Sequence, residues 1–431
     1  DDITPSAAVT HKKMPTSAML VLACCLSGAA AFHLPVLPAL QRRAPLVAPR
    51  MLVEPELAAP ALDAVGTALA FSDQGGNLAG TFFQFSLPSY IAFLYFINYE
   101  KNQTPKLGQF GFQFLLLFVI STIPTGIISK ATYGCTLADA DWLHGSAEAL
   151  LTVTNVLVVS GFLAASSGDE AGAEGELPRK IALGIAAIVA VVCASGTSLG
   201  FGAHTPFFFG LGDLGADLVA ALPWVAHAEP ANALSLPTWA IHFSSVFEWL
   251  FAMQLVWRYA AVTGNERWKG LTWGMLPLHA SGLAACTYHF FYNPSSLQSL
   301  VELQAFLTLV GNMTLAIAAV RIALSNGWTL SALNPFAKGD DAAEEEPAAL
   351  PALQTTPAEN ELLLAAKLVG LTFTSAYAVK YGELALGGAD GAPFGANPIV
   401  AGSMVLLPPA IVAYAYLQSN DDDAAAAAPS A

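Results

Sequence analysis

The chain has 431 residues, of which 55% are hydrophobic and only 11% charged, with a mean hydropathy of +0.55. Soluble domains run near a quarter charged, so this composition excludes a water-soluble globular protein and indicates an integral membrane protein. The formal net charge of -15 excludes the basic footprint that a nucleic-acid partner requires. It collects in "KGDDAAEEEP", in the "DDDAAAAAPSA" tail and in loops, the segments expected to face water.

The first fifty residues read as addresses rather than structure. After Met14, "MPTSAMLVLACCLSGAAAF" has a short apolar core and an Ala-rich cleavage site before Phe32. The following "FHLPVLPALQRRAPLVAPRM" holds Arg42, Arg43 and Arg50 and no acid. A signal followed by an acid-free basic stretch resembles the bipartite presequence of algae with complex, red-lineage plastids; the alternative is an ordinary signal peptide. Cys24 and Cys25 leave with it. Cys135, Cys193 and Cys286 are scattered and odd in number, which excludes a disulfide framework and metal-finger spacing.

Nine apolar windows long enough to cross a bilayer follow, near 80–99, 108–129, 142–165, 180–202, 237–260, 270–292, 299–323, 362–383 and 397–418. They predict an all-α polytopic bundle, with kinks at Pro124 and Pro277. Basic residues cluster in alternate connections: Lys101 and Lys106, Arg179 and Lys180, Arg267 and Lys269, Arg321 and Lys338. The positive-inside asymmetry assigns those loops to the stromal side, with Lys130 and Lys380 snorkelling from span ends. "SLPSYIAFLYFI" from Ser86 matches "SLPTWAIHFSSVF" from Ser235, and "EALLTVTN" from Glu148 matches "QAFLTLVGN" from Gln304, at offsets of 149 and 156 residues. Spans 1–3 and 5–7 are therefore expected to be parallel copies of one three-helix unit, joined by span four.

The expected organisation is targeting sequence over 1–50, a first three-helix membrane unit over 51–165, and a second over 237–325. Between them, 166–236 holds an acidic stromal loop, the fourth span and a lumenal amphipathic segment in which Asp213 and Asp217 share a face. An acidic linker covers 326–361, and a two-span hairpin with an acidic tail closes the chain over 362–431.

Ionisable side chains at membrane depth are costly and usually face protein, a cavity or a ligand. At 100° per residue, His144, Glu148 and Asn155 share one stripe of span three, with Thr152 beside it. Span seven has Gln304, Thr308 and Asn312; span six has His279, Gly282, Cys286 and His289 on one face. In span five His242 and Glu248 point apart, and Gln254 and Arg258 are i,i+4 neighbours. Three readings compete: interhelical hydrogen bonding, axial ligation of chlorophyll magnesium, and a transport or proton relay built on Glu248, His242 and His279. His242, Glu248 and His279 are the first candidate ligands, followed by His144, Glu148, His289, Asn155 and Asn312. No P-loop, G-x-S-x-G elbow, H-E-x-x-H or dinucleotide fingerprint occurs, so enzymatic activity is not expected. "FFF" at 207–209 and "YHFFY" at 288–292 read as interfacial belts.

The stretch from "LSLPTWAIHFSSVFEW" through "WRYAAVTGNERWKG" to "CTYHFFYNPSSLQ" resembles a cyanobacterial and plastid family of hypothetical chloroplast reading frames, over residues 235–325. "SLPSYIAFLYFI", "TPKLGQFGFQFLLLFVISTIPTGI" and "YGCTLADADWLHGSAEALLTVTN" are similar to a second uncharacterised family of oxygenic phototrophs, over 84–165. The resemblance implies residence in the thylakoid membrane of a red-lineage plastid and a photosynthetic role, and it carries no catalytic residues over. The resulting expectation is an accessory or linker subunit of a photosystem–antenna assembly, photosystem I preferred. It would contact photosystem core and antenna membrane proteins and bind chlorophyll, carotenoid and lipid. A transient assembly factor and a small-solute carrier are the alternatives.

Overall fold

The computed structural model describes residues 77–224, 229–333, 361–386 and 395–427. Among them lie nine helices of twenty residues or more, one at each expected window. They are α1 (Asn77–Ile97), α2 (Lys106–Ile128), α3 (Asp141–Ser167), α4 (Glu176–Ser195), α5 (Leu236–Thr263), α6 (Arg267–Phe290), α7 (Ser299–Ser325), α8 (Glu361–Leu386) and α9 (Pro398–Ala427). The expected targeting sequence, residues 51–76 of the first unit, linker residues 334–360 and the end of the tail lie outside the described residues.

Long runs of Leu, Ala, Val, Ile and Phe form these helices, and left-handed glycines stop two of them. Gly168 (φ 77) ends α3 and Gly264 (φ 68) ends α5, a conformation that costs glycine nothing. Pro124 lies within α2, which closes in a π-helical turn at Ser129–Tyr133, and Pro277 lies within α6. Seven of the nine are long and apolar enough to cross a membrane. The other two, α5 and α6, match them in length but carry His242, Glu248, Gln254 and Arg258, and His279 and His289.

α5 and α6 are central. α3 packs along α5, α6 lies against both α5 and α7, and α7 packs along α1; α2 lies on α3. The arrangement has a pseudo-two-fold character, because the first helix of each unit pairs with the third of the other. α4 covers α2 and α3, α8 covers α5, and α9 covers α6. Asn155 Nδ2 on α3 donates to Ser245 O on α5 at 3.3 Å, and Asn312 Nδ2 on α7 donates to Ser86 O on α1 at 3.3 Å. Ser245 and Ser86 each stand tenth in their helices, so the asparagine match is structural. The Ser-Leu-Pro match is not: Ser235 caps the start of α5, whereas Pro88 lies inside α1. The sequence identity there is displaced along the helix by almost three turns.

Small residues let the helices approach. A Cβ on Gly161 of α3 would lie 2.4 Å from the backbone nitrogen of Gly108 on α2, and one on Gly274 of α6 would lie 2.9 Å from Thr314 O on α7. Near the basic loops an aromatic core closes the bundle. Phe162 lies edge-on to Tyr259 at 5.0 Å and to Trp268 at 5.7 Å, and Tyr259 meets Trp268 at 4.9 Å. The Tyr259 hydroxyl donates to Gln103 O in the α1–α2 connection at 2.6 Å, so its polar end is satisfied.

Among its described residues, the connection before α5 holds a 3-10 turn, Phe207–Gly210, and a five-residue helix, Ala216–Ala220, and the shared aspartate face expected there is not formed. Asp213 precedes that helix and turns inward, while Asp217 is exposed. The helix starts three residues after Asp213, so the two aspartates do not share a helical face.

Replacing Gly161 with Leu must push α2 off α3, because the obstructing atom is backbone. Overpacking of this kind costs about 1–3 kcal/mol. In detergent, Gly161→Leu is expected to unfold at lower temperature than wild type and to show a larger aggregated fraction by size exclusion. Gly184→Leu on α4, where a Cβ meets nothing, is expected to behave as wild type.

Candidate functional site

The end of the bundle opposite the basic loops is closed by a cap, whose described residues are 201–224 and 229–235, held by two inward-facing aspartates. Asp141, the first residue of α3, is buried. Its Oδ2 accepts from Phe207 N at 2.7 Å and Ser235 Oγ at 2.6 Å, and its Oδ1 accepts from Ser235 N at 2.9 Å. Asp213 Oδ1 accepts from Leu236 N at 2.7 Å. The N–H groups that start α5 have no intrahelical acceptor, and here both are satisfied by carboxylates, the charge the helix N-terminus favours. Burial pushes the Asp213 carboxyl up from the usual range, against the pull of Lys380. Lys380 of α8 is buried at the same end; its Nζ lies 2.8 Å from Glu229 Oε2 and donates to Leu234 O at 3.0 Å.

Phe207 is the plug. Its ring sits on Gly145, where a Cβ would approach it to 2.5 Å. Phe208 and Phe209 have left-handed backbones (φ 49 and 58), costly for aromatic residues, and their rings are exposed. Only these two of the three phenylalanines suit an interfacial belt. "YHFFY" serves packing instead, since His289 and Phe291 are buried.

Beneath the plug, three helices bring three imidazoles together. His144 comes from the first turn of α3, His242 from the second turn of α5 and His289 from the last turn of α6. They are 6%, 5% and 6% exposed, and their ring centroids lie 4.7–5.0 Å apart. One ring nitrogen from each lies within 4.8 Å of the other two. His144 Nδ1 and His242 Nε2 are buried without a hydrogen-bond partner.

His289 is oriented from outside. Asn293 Nδ2 donates to Asp139 Oδ1 at 2.7 Å, which leaves Asn293 Oδ1 to accept from His289 Nδ1 at 2.8 Å. The proton therefore sits on Nδ1, and Nε2 keeps its lone pair. Asn293 has a left-handed backbone (φ 56), a conformation asparagine tolerates. On the membrane-interior side, Glu148 Oε1 lies 4.0 Å from His144 Nε2, and Cys286 stands one turn before His289.

The other candidates lie elsewhere. Glu248 is fully buried at the α3–α5 contact; its Oε1 accepts from Ser244 Oγ, and Asn155 is its neighbour. Thr152 Oγ1 and Ser245 Oγ are 3.2 Å apart in the same contact. Asn312 bridges α7 to α1, and Thr308 Oγ1 lies 2.9 Å from Ser281 Oγ on α6. These are the interhelical hydrogen bonds of the plainest reading. His279 is buried in α6 with Nδ1 unpaired, ten residues before His289 and so about 15 Å away along the helix. His242, Glu248 and His279 therefore do not converge; His242 joins His144 and His289. Arg258 is exposed at the basic-loop end. Asn293, Asp139 and Asp141 were not singled out by their sequence, and Phe207 stood out only as part of an expected interfacial belt. Only the four-residue spacing of Asn293 from His289 could have flagged one of them.

Fold and site together define a polytopic α-helical membrane protein with a buried histidine cluster at the seam of two three-helix units. Residues 233–321 match the family described as a protein of unknown function (DUF2499), and residues 79–167 match another so described (DUF3593). The chain is 54% identical over 88 residues to "Ycf49-like protein" of Synechocystis sp., covering 20% of this chain and 85% of that protein. It is 42% identical over 84 residues to "Uncharacterized protein ycf49" of Cyanophora paradoxa, covering 20% of this chain and 82% of that protein. The chain belongs to the Ycf49-like family of cyanobacterial and plastid proteins. No solved structure matches it.

Asp141→Ala leaves two N–H groups and a hydroxyl without their acceptor, at about 1–3 kcal/mol for each buried group left unpaired. The cap is expected to loosen before the bundle does. Limited proteolysis should cut between 203 and 235 several-fold faster than in wild type, while helical circular dichroism stays nearly unchanged.

Proposed function

We propose that this chain is an accessory or linker subunit of a photosystem–antenna assembly in the thylakoid membrane, with photosystem I as the preferred partner. The observation that carries this reading is the distribution of unburied apolar surface. The apolar segments of α4 and α9 bury only 17% of their spans within the chain, against 83% for α3. Ile188 and Val191 on α4 and Ile399, Leu406 and Ile411 on α9 stand out from the bundle. In a bilayer such faces meet lipid or neighbouring subunits, and helix association there proceeds by packing. A central core with apolar helices on its flanks suits a protein that sits between others. Cyanobacterial and plastid relatives agree with a photosynthetic membrane.

Chlorophyll, carotenoid and lipid enter this reading at the outer faces. Of the eight candidate ligand residues, all but Glu148 are buried among neighbouring helices, so a planar macrocycle is better accommodated outside the bundle.

The test is to solubilise thylakoids in mild detergent, separate complexes on a density gradient and quantify the chain by mass spectrometry across fractions. Comigration with a pigmented photosystem–antenna band, near one copy per complex, is the expected result. A pigment-free, slowly sedimenting peak would overturn the subunit reading in favour of an assembly factor or a carrier.

A further inference from the structure

We propose that His144, His242 and His289 form a binding site for one divalent first-row transition-metal ion, with zinc as the representative ligand. Three observations converge on it. Donor nitrogens from three separate helices already lie within 4.8 Å of one another. A tetrahedral zinc with bonds of about 2.0–2.1 Å draws such nitrogens to about 3.3 Å, a closure that small ring rotations supply. Two of the three rings hold a buried nitrogen with no other partner, which is costly unless something binds there. The third ring is fixed by Asn293 and Asp139, with Nε2 left as the donor. Orientation of a ligating histidine by an outer hydrogen bond is the usual companion of metal ligation.

Charge supports a divalent ion. Three neutral imidazoles leave a dication uncompensated in an apolar interior, where isolated charge is expensive. Asp141 and Asp139 act electrostatically on the His144 ring, and Glu148 Oε1 lies 4.0 Å from its Nε2. Asp139 and Asp141 thus place negative charge on the His144 side of the cluster. Imidazole donors select zinc, copper, nickel and iron over magnesium or calcium, so magnesium serves as the negative control.

The experiment uses the full chain, purified in mild detergent without a polyhistidine tag and stripped with a chelator. Zinc is added, the excess dialysed away, and the retained metal quantified by mass spectrometry and examined by X-ray absorption. About one zinc per chain with three imidazoles in its scattering is the expected result, together with a rise in unfolding temperature that magnesium does not give. His242→Asn and His289→Asn are expected to lose the bound zinc, whereas His279→Asn keeps it. Asn293→Ala is expected to weaken zinc binding by about 10- to 100-fold. Absence of retained zinc in wild type, zinc ligated by oxygen alone, or undiminished zinc in His242→Asn and His289→Asn would overturn the proposal. Should those variants fail to fold, the absorption spectrum of the wild-type zinc protein decides by itself.

Discussion

One helix has no side left for lipid, and the molecule is arranged around that fact. α3, buried over 83% of its apolar segment, meets α2, α4 and α5 along its length and the cap at its start. A polar group on an enclosed helix has only protein to bond with. Several polar residues of α3 therefore dictate something about a neighbour, while Ser146, Thr154 and Ser166 bond back to their own helix. Asp141 fixes where α5 begins, Thr152 and Asn155 fix how α5 lies against it, and His144 faces two histidines across the interface. Where α3 carries glycine instead, at Gly145 and Gly161, it admits the Phe207 ring and the backbone of α2.

The two poles of the bundle solve opposite problems. Near the basic loops the interior is aromatic, and Phe162, Tyr259 and Trp268 fill it with edge-on contacts and a single satisfied hydroxyl. Near the cap the interior is polar, and what excludes water is the plug rather than the packing of the helices. Phe207 reaches its place only because Asp141 holds its N–H and because the next two residues adopt left-handed backbones that turn their rings outward. Strain in such a loop is retained where the surrounding structure over-determines it. Here the determinants are Asp141 and Ser235, the pair that also fixes the start of α5, so the loop is held by the contacts that begin the helix.

Much of the architecture was legible in the sequence because span length and apolarity are set by the bilayer. All nine windows correspond to helices, and Asn155 and Asn312, each on the third helix of its unit, both donate to a serine carbonyl on the first helix of the other. The Ser-Leu-Pro match misled because identity over three residues does not fix depth: proline suits a helix start at 237 and is tolerated inside α1 at 88. The site was half legible. His144, His242 and His289 stood out as ionisable residues at membrane depth, but helical periodicity places residues only on their own helix. It could not show that the first turn of α3, the second turn of α5 and the last turn of α6 meet at one level. His279 shared a face with His289, yet ten residues of rise separate them. Asp141 was invisible for another reason: it precedes the apolar run and looks like a solvated helix start until Phe207 and Ser235 close over it.

The histidine cluster belongs to neither unit alone. His144, with Asp139, Asp141 and Glu148, falls in the stretch that matches one family, and His242 and His289 fall in the stretch that matches the other. Each unit by itself would present an incomplete set of donors on a face that is buried here, and burying such a face requires a partner that satisfies it. In this chain the partner is supplied in cis, through the fourth span and the cap that together carry the chain from α3 back to the start of α5. The cap does more than connect, since Asp141 of the first unit receives it and its own Asp213 accepts from the start of α5 in the second. The contacts that join the two units are thus the contacts that assemble the site, so loosening the seam must separate the three imidazoles.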